Sequence, residues 1–182
     1  YNEFKDHIES TDVLKQDHVL LLMSLLKERG FDNDAFDKLT TVGFSPNQIA
    51  SLADEYGVNH LQKIIEDSDK VIEMGFSPNQ IASLVDKYGV NHLQKIIADY
   101  DAYVIPDDIQ HGIDLVSETV HILNVSNKKL TTGQLAKIIR AVQLRHPEGT
   151  AECLRALFCD YNNLTALPDS LTHLKMLVCR EN

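Results

Sequence analysis

Residues Gly43 to Ile65 read GFSPNQIASLADEYGVNHLQKII, and residues Gly75 to Ile97 read GFSPNQIASLVDKYGVNHLQKII. Aligned from Gly43 on Gly75, the stretches agree everywhere except at Ala53/Val85 and Glu55/Lys87. A fixed period in the range of about 20–50 residues marks a solenoid, whose units bury their apolar faces against one another. Each copy predicts two helices. Ser45 and Ser77 are N-cap candidates, and Pro46 and Pro78 take the first helical position, where a missing N–H costs nothing. Ile49, Leu52 and Ala53 then share one helix face. Gly57 and Gly89 end the helix in the left-handed region. Asn59 and Asn91 stand where they can cap the second helix. Its apolar face is Leu61, Ile64 and Ile65 in one copy and Leu93, Ile96 and Ile97 in the other.

Phe-Ser-Pro-Asn-Gln-Ile-Ala-Ser-Leu, a loop glycine and a Leu-x-x-Ile-Ile helix resemble the transcription-activator-like effector (TALE) repeat. The likeness is to the shorter, divergent TALE-like repeats of bacterial endosymbionts. It covers about a third of the chain. The resemblance implies two helices flanking a loop, with the residues before the loop glycine approaching one DNA base. By position these are Glu55 and Tyr56 in one copy and Lys87 and Tyr88 in the other. Two departures weigh against DNA: Glu-Tyr and Lys-Tyr are not familiar base-reading pairs, and Asn59 and Asn91 stand near the place of the family's post-loop lysine.

Charge sets a further limit. The 182 residues carry 27 acids against 17 bases, a net charge of −10. From Phe44 to Asp99 there are eight acids and four lysines. A phosphate-binding protein normally shows a basic stripe, because neutralising phosphates releases counterions. An acidic array argues against tight duplex binding. No apolar run is long enough for a membrane span, and no signal peptide is visible. The chain starts at Tyr1 rather than Met, which points to a fragment. Cys153, Cys159 and Cys179 do not form a disulfide framework and fit a reducing cytosol.

Outside the two copies, residues 1 to 10 are polar and expected to fray. A helix is predicted from Asp12 to about Arg29, and a second from Asn33 to Val42 with Phe36 and Leu39 inward. Together they read as an N-terminal cap, since terminal solenoid units are atypical. Pro106 opens a degenerate unit whose helix is expected to run through Ile109, Ile113, Leu115 and Val116 to about Leu123. A loop over Asn124 to Asn127 follows. Leu130 to Ile139 aligns loosely with the repeat and predicts another helix. Lys128, Lys129, Lys137, Arg140 and Arg145 make a candidate basic patch there, against the plainer reading of a solvated helix face. His146-Pro147 breaks the helix.

The end of the chain changes character. Leu154, Leu157, Cys159, Asn162, Leu164, Leu167, Leu171, Leu174, Leu177, Cys179 and Asn182 follow a leucine-rich-repeat pattern. It predicts a short strand at Leu157 to Cys159 and an Asn162 side chain bonded to backbone inside the coil. Leu164, Leu167, Leu171 and Leu174 fill the interior. The pattern that begins at Leu154 restarts at Leu174 and stops at Asn182. Helical repeats joined to leucine-rich repeats resemble effectors that intracellular bacteria such as Legionella deliver into host cells.

The expected fold class is mainly α: a right-handed helical-repeat (α-solenoid, TALE-like) array leading into a partial leucine-rich repeat. Its segments are an N-terminal helical cap over 1–43, two TALE-like repeats over 44–104, degenerate helical repeats over 105–152 and the start of the leucine-rich repeat over 153–182. No catalytic constellation stands out. His60 and His92 recur at one repeat position, about 10 Å apart by helix packing distances, too far to share a metal. Cys153 and Cys159 have no companion at zinc spacing. Cys159 and Cys179 read as small core hydrophobes, and His121 and His146 have no carboxylate partner in sequence.

Three functions remain as expectations, all without a cofactor, a metal or a small-molecule substrate. The first is a non-catalytic, effector-type scaffold recognising a host protein, cytosolic or delivered into a host cell. The second is TALE-like double-stranded DNA binding, with a nuclear location and phosphate contacts from Asn59, His60, Asn91, His92, Lys63 and Lys95. The third is the N-terminal targeting part of a longer enzyme. On either of the first two readings Tyr56 and Tyr88 are the leading contact residues, because exposed tyrosines anchor interfaces.

Overall fold

A computed structural model describes residues 21, 24–30, 33–117, 120–145, 154–171 and 174–182. Most of the helix expected over Asp12 to Arg29, the His146-Pro147 break and Cys153 lie outside the described residues. The chain is mainly helical, with a small parallel sheet towards its C-terminus. Contacts divide it into two compact units. One comprises residues 1–70 and 78–93, the other 71–77 and 94–182.

In the first unit, residues 24–28 are helical and Leu26 is buried. Helix α1 (Asn33–Val42) buries Ala35, Phe36, Leu39 and Val42. It packs on α2 (Pro46–Tyr56) and on α4 (Pro78–Tyr88), the matching helix of the second copy. Gly43, at φ +106°, lets this approach happen, since a Cβ there would stand 3.3 Å from the Pro78 carbonyl oxygen. Ser45 caps α2 as expected. Its hydroxyl accepts from Gln48 N–H at 3.2 Å, and Gln48 Oε1 accepts from Ser45 N–H at 2.8 Å, a reciprocal capping box.

The copies fold alike because their start and stop signals are local. Helix α2 buries Ile49, Ala50, Leu52 and Ala53, and α4 buries Ile81, Ala82, Leu84 and Val85, each at the matching place in its copy. Gly57 (φ +85°) and Gly89 (φ +88°) then turn the chain into α3 (Val58–Glu73) and α5 (Asn91–Ala102). The expected asparagine caps are not there. Asn59 falls inside α3 and Asn91 is the first residue of α5. Instead the Gly57 and Gly89 carbonyls accept from His60 and His92 N–H at 3.1 and 3.2 Å, so the glycine that ends one helix opens the next.

In the second unit, α6 (Asp107–Leu115) is shorter than expected. At Val116 the backbone turns extended (φ −63°, ψ 121°), and Ile122–Asn124 form a strand, β1, in place of further helix. The reason is pairing. β1 runs parallel to β2 (Ala156–Phe158), which runs parallel to β3 (Met176–Val178), in the order β1-β2-β3. The register puts Leu123, Leu157 and Leu177 in one row. The sheet thus starts one strand earlier than the leucine pattern foretold, within the segment expected to be helical. Helix α7 (Thr132–Arg145) connects β1 to β2 and buries Leu135, Ile138, Ile139 and Val142 in the core with Ile109, Ile113, Leu157 and Cys159. Gly133 admits α7 against α5, since a Cβ there would collide with the Ile96 carbonyl oxygen and lie 2.9 Å from Tyr100 N.

Asn162 works as the leucine pattern predicts. Its Oδ1 accepts from the N–H groups of Lys128 and Leu130 at 3.1 and 3.0 Å. Its Nδ2 donates to the carbonyls of Val125 and Cys159, both at 3.0 Å. Asn182 repeats the arrangement one coil later, more loosely, accepting from Asn162 and Leu164 N–H at 3.2 and 3.4 Å. Leu164 is buried, while Leu167, Leu171 and Leu174 pack on the core from its margin.

Candidate functional site

The repeat loops bring together part of what the sequence singled out. Both copies stack a tyrosine on the histidine four residues later, across the loop glycine. The Tyr56 and His60 ring centroids are 5.1 Å apart at 24°, and those of Tyr88 and His92 are 4.6 Å apart at 31°. The spacing i to i+4 keeps the rings adjacent although the glycine interrupts the helix. The tyrosines are therefore held in place rather than free in solvent. Tyr56 is half-buried and Tyr88 is 42% exposed. His60 Nε2 is buried and has no hydrogen-bond partner among the described residues.

Between α2 and α4 lies a groove of about 440 Å³. Asn47, Gln48, Ser51, Leu52, Glu55 and Tyr56 line it from α2, and Val85, Asp86, Gly89 and Val90 from α4 and the turn after it. The volume falls in the range of about 300–1,000 Å³ found for sites that enclose a small ligand. Two carboxylates, Glu55 and Asp86, stand on the lining, and no lysine or arginine is among the lining residues, although Lys87 follows Asp86 in sequence. The Tyr56 phenol is held above its ordinary value, first by burial and then by the neighbouring Glu55 carboxylate. Of the predicted contact residues, Glu55 and Tyr56 line the groove. Lys87, Tyr88, Asn59, His60, Asn91 and His92 do not.

Lys87 lies over the Tyr88 ring, with Nζ 5.1 Å from its centroid. Lys63 pairs with Asp67 at 3.6 Å, and Lys95 with Asp99 at 2.8 Å, each one turn along its own helix. Both lysines expected to contact phosphate therefore have an acid beside them. Asn59 and Asn91 are exposed.

The candidate basic patch is largely compensated. Lys128 donates to Asp108 at 2.7 Å, and the Asp108 carboxyl lies below its ordinary range chiefly for that reason. Arg145 donates to Asp114 at 2.7 Å, and Lys137 sits over the Tyr100 ring at 5.7 Å. Lys129 and Arg140 are exposed. Arg145 closes α7 while Lys128 and Lys129 precede it, so a helix of 14 residues, about 20 Å long, separates the charges.

The cysteines are placed as small hydrophobes. Cys159 is buried, with its thiol pushed up by burial and then by Cys179, and Cys179 is half-buried. Among the described residues no group of three His, Cys, Asp or Glu side chains is placed to hold a metal ion. No described helix is long and apolar enough to cross a membrane.

No protein-family model, curated protein or solved structure matches this chain. Its functional reading therefore rests on the groove. Sequence reasoning found one wall through the loop residues. It missed the other, Val85, Asp86 and Val90, because those residues become neighbours of Glu55 only when two copies pack. The available signal was the differing pair Ala53/Val85, which lies close in sequence to the loop.

Proposed function

We propose that this chain is a repeat scaffold that recognises a protein, and that the α2/α4 groove is where it does so. The observation that carries the reading is the groove itself: it is formed by two copies of one repeat and lined by carboxylates, amides and one tyrosine. Its charge supports a protein partner over nucleic acid, since phosphates gain nothing from Glu55 and Asp86. The ion pairs of Lys63 and Lys95 point the same way. The helical array is read as a TALE-like solenoid leading into a partial leucine-rich repeat. On the resemblance to bacterial effectors, the partner is a host protein.

The test is selection of peptides from a random library on the full chain, with Ser51→Trp as a variant that fills the groove. Peptides that bind the parent chain and lose at least tenfold on Ser51→Trp, with the helical circular dichroism unchanged, support the reading. Duplex DNA is measured beside them by fluorescence anisotropy. Salt-sensitive micromolar DNA binding that survives Ser51→Trp, with no groove-dependent peptide, overturns it.

A further inference from the structure

The two copies differ at two positions, and each contributes a differing residue to the groove: Glu55 from the first, Val85 from the second. The frame around them is otherwise the same. Two of the four differing residues thus meet on the groove, within a constant frame, where a difference can set selectivity. Glu55 is exposed beside the Tyr56 phenol, a neutral group that leaves its charge uncompensated. Asp86 is exposed, and neither carboxylate is ion-paired to a described residue. Two like charges on the two walls of one groove focus a negative potential and draw cations. Leu52, Val85 and Val90, themselves buried, give the groove an apolar floor, and the half-buried Tyr56 adds an aromatic ring.

This lining matches one kind of side chain. Lysine and arginine lay an aliphatic stem along apolar surface and keep the charged head on polar groups. A guanidinium also stacks on a tyrosine ring. Asn47, Gln48 and Ser51 supply donors and acceptors for a peptide backbone.

We propose that the groove docks an extended basic segment of the partner protein, with a lysine or arginine seated against Glu55 and Asp86. This deepens the protein-recognition reading and rests on it. Glu55 is the selecting residue. The second copy carries Lys87 at the same place, the opposite charge in the same frame.

The experiment uses the full chain and three fluorescein-labelled peptides of matched length. One alternates Lys or Arg with Val, one replaces the basic residues with Gln, and one with Glu. Anisotropy is read at low and moderate salt. The basic peptide is expected to bind best and to weaken with salt. Glu55→Lys and Asp86→Lys, both at exposed positions, are each expected to lose about fivefold to tenfold or more, as charge pairs at interfaces do. Glu66→Lys, an exposed acid of α3 away from the groove, controls for general charge and is expected to change binding less than twofold.

Equal binding of the basic and neutral peptides, or equal losses in Glu55→Lys and Glu66→Lys, overturns the basic-segment inference. If the neutral or acidic peptide binds and Ser51→Trp abolishes it, protein recognition stands and the charge assignment falls. If no peptide binds, or only duplex DNA does, both fall.

Discussion

Replacing Asn162 with alanine removes five hydrogen bonds at a residue only 4% exposed. Two N–H groups, of Lys128 and Leu130, lose their acceptor, and three carbonyls, of Val125, Cys159 and, at 3.4 Å, Asp160, lose a donor, although Cys159 keeps Asn182. Water reaches some of these groups, since Lys128 is an exposed residue, but Leu130, Val125 and Cys159 are buried. A buried polar group left unpaired costs about 1–3 kcal/mol. Counting the Leu130 N–H in full and the others in part gives a destabilisation of about 3–5 kcal/mol. Asn182 makes the matching bonds at 3.2 and 3.4 Å from an exposed position, so Asn182→Ala is expected to cost about 1 kcal/mol or less. The assay is urea unfolding followed by far-ultraviolet circular dichroism, with slopes of about 1–3 kcal/mol per molar urea. Asn162→Ala is then expected to lower the midpoint of the transition containing the sheet by at least about 1 M. A shift equal to that of Asn182→Ala, or under about 0.3 M, would refute the reasoning. It would mean that the coil backbone finds other partners and that the carboxamide is not its internal brace.

Two further outcomes concern the same unit. Leu157 is 0% exposed and Leu177, its register partner, is 46% exposed, so in urea unfolding Leu157→Ala is expected to cost about 2–5 kcal/mol and Leu177→Ala about 1 kcal/mol or less. Equal costs would show that β3 is covered in solution. Burial raises the Cys159 thiol above its ordinary value of 9.0, so the folded state holds its proton after the unfolded chain has lost it. Stability from this group is complete below pH 9.0 and falls as pH rises through the folded value, by up to about 1.4 kcal/mol per pH unit. Urea midpoints at pH 8 and pH 10, compared between the parent chain and Cys159→Ala, isolate this slope. A decline of the same size in both proteins argues against the assignment.

The repeat helices were legible because their signals sit within a few residues of each boundary. Pro46 and Pro78 open α2 and α4, Gly57 and Gly89 close them, and Ser45 caps with Gln48 one turn on. Asn59 and Asn91 misled for a local reason of the same kind. A glycine with positive φ can expose its carbonyl to the next turn, which removes the need for a side-chain cap. Strand β1 was not legible. The apolar positions from Ile109 to Val116 keep helical spacing, and nothing local says that Leu123 and Val125 leave it. Leu123-x-Val125 matches Leu157-x-Cys159 and Leu177-x-Cys179, yet Lys128 stands where Asn162 would align. The stretch from Leu123 to Leu157 is also much longer than that from Leu157 to Leu177, because α7 lies within it. Only the paired strands reveal the shared register.

Polar groups are handled differently in the helical copies and beside the sheet, and the difference bears on recognition. Beyond β2, Asn162 is buried and its carboxamide is engaged with the backbone around it, so it offers nothing to a partner. In the helical copies the Gly57 and Gly89 carbonyls accept from the next turn, and Glu55 and Asp86 near the loops stay exposed. Glu55 and Asp86 stand on the groove at exposed positions, with no ion pair to a described residue. A residue with no folding role can vary between copies at little cost to stability, and position 55/87 is where the copies differ in charge. That freedom is what links the local chemistry of the loop to the recognition proposed for it.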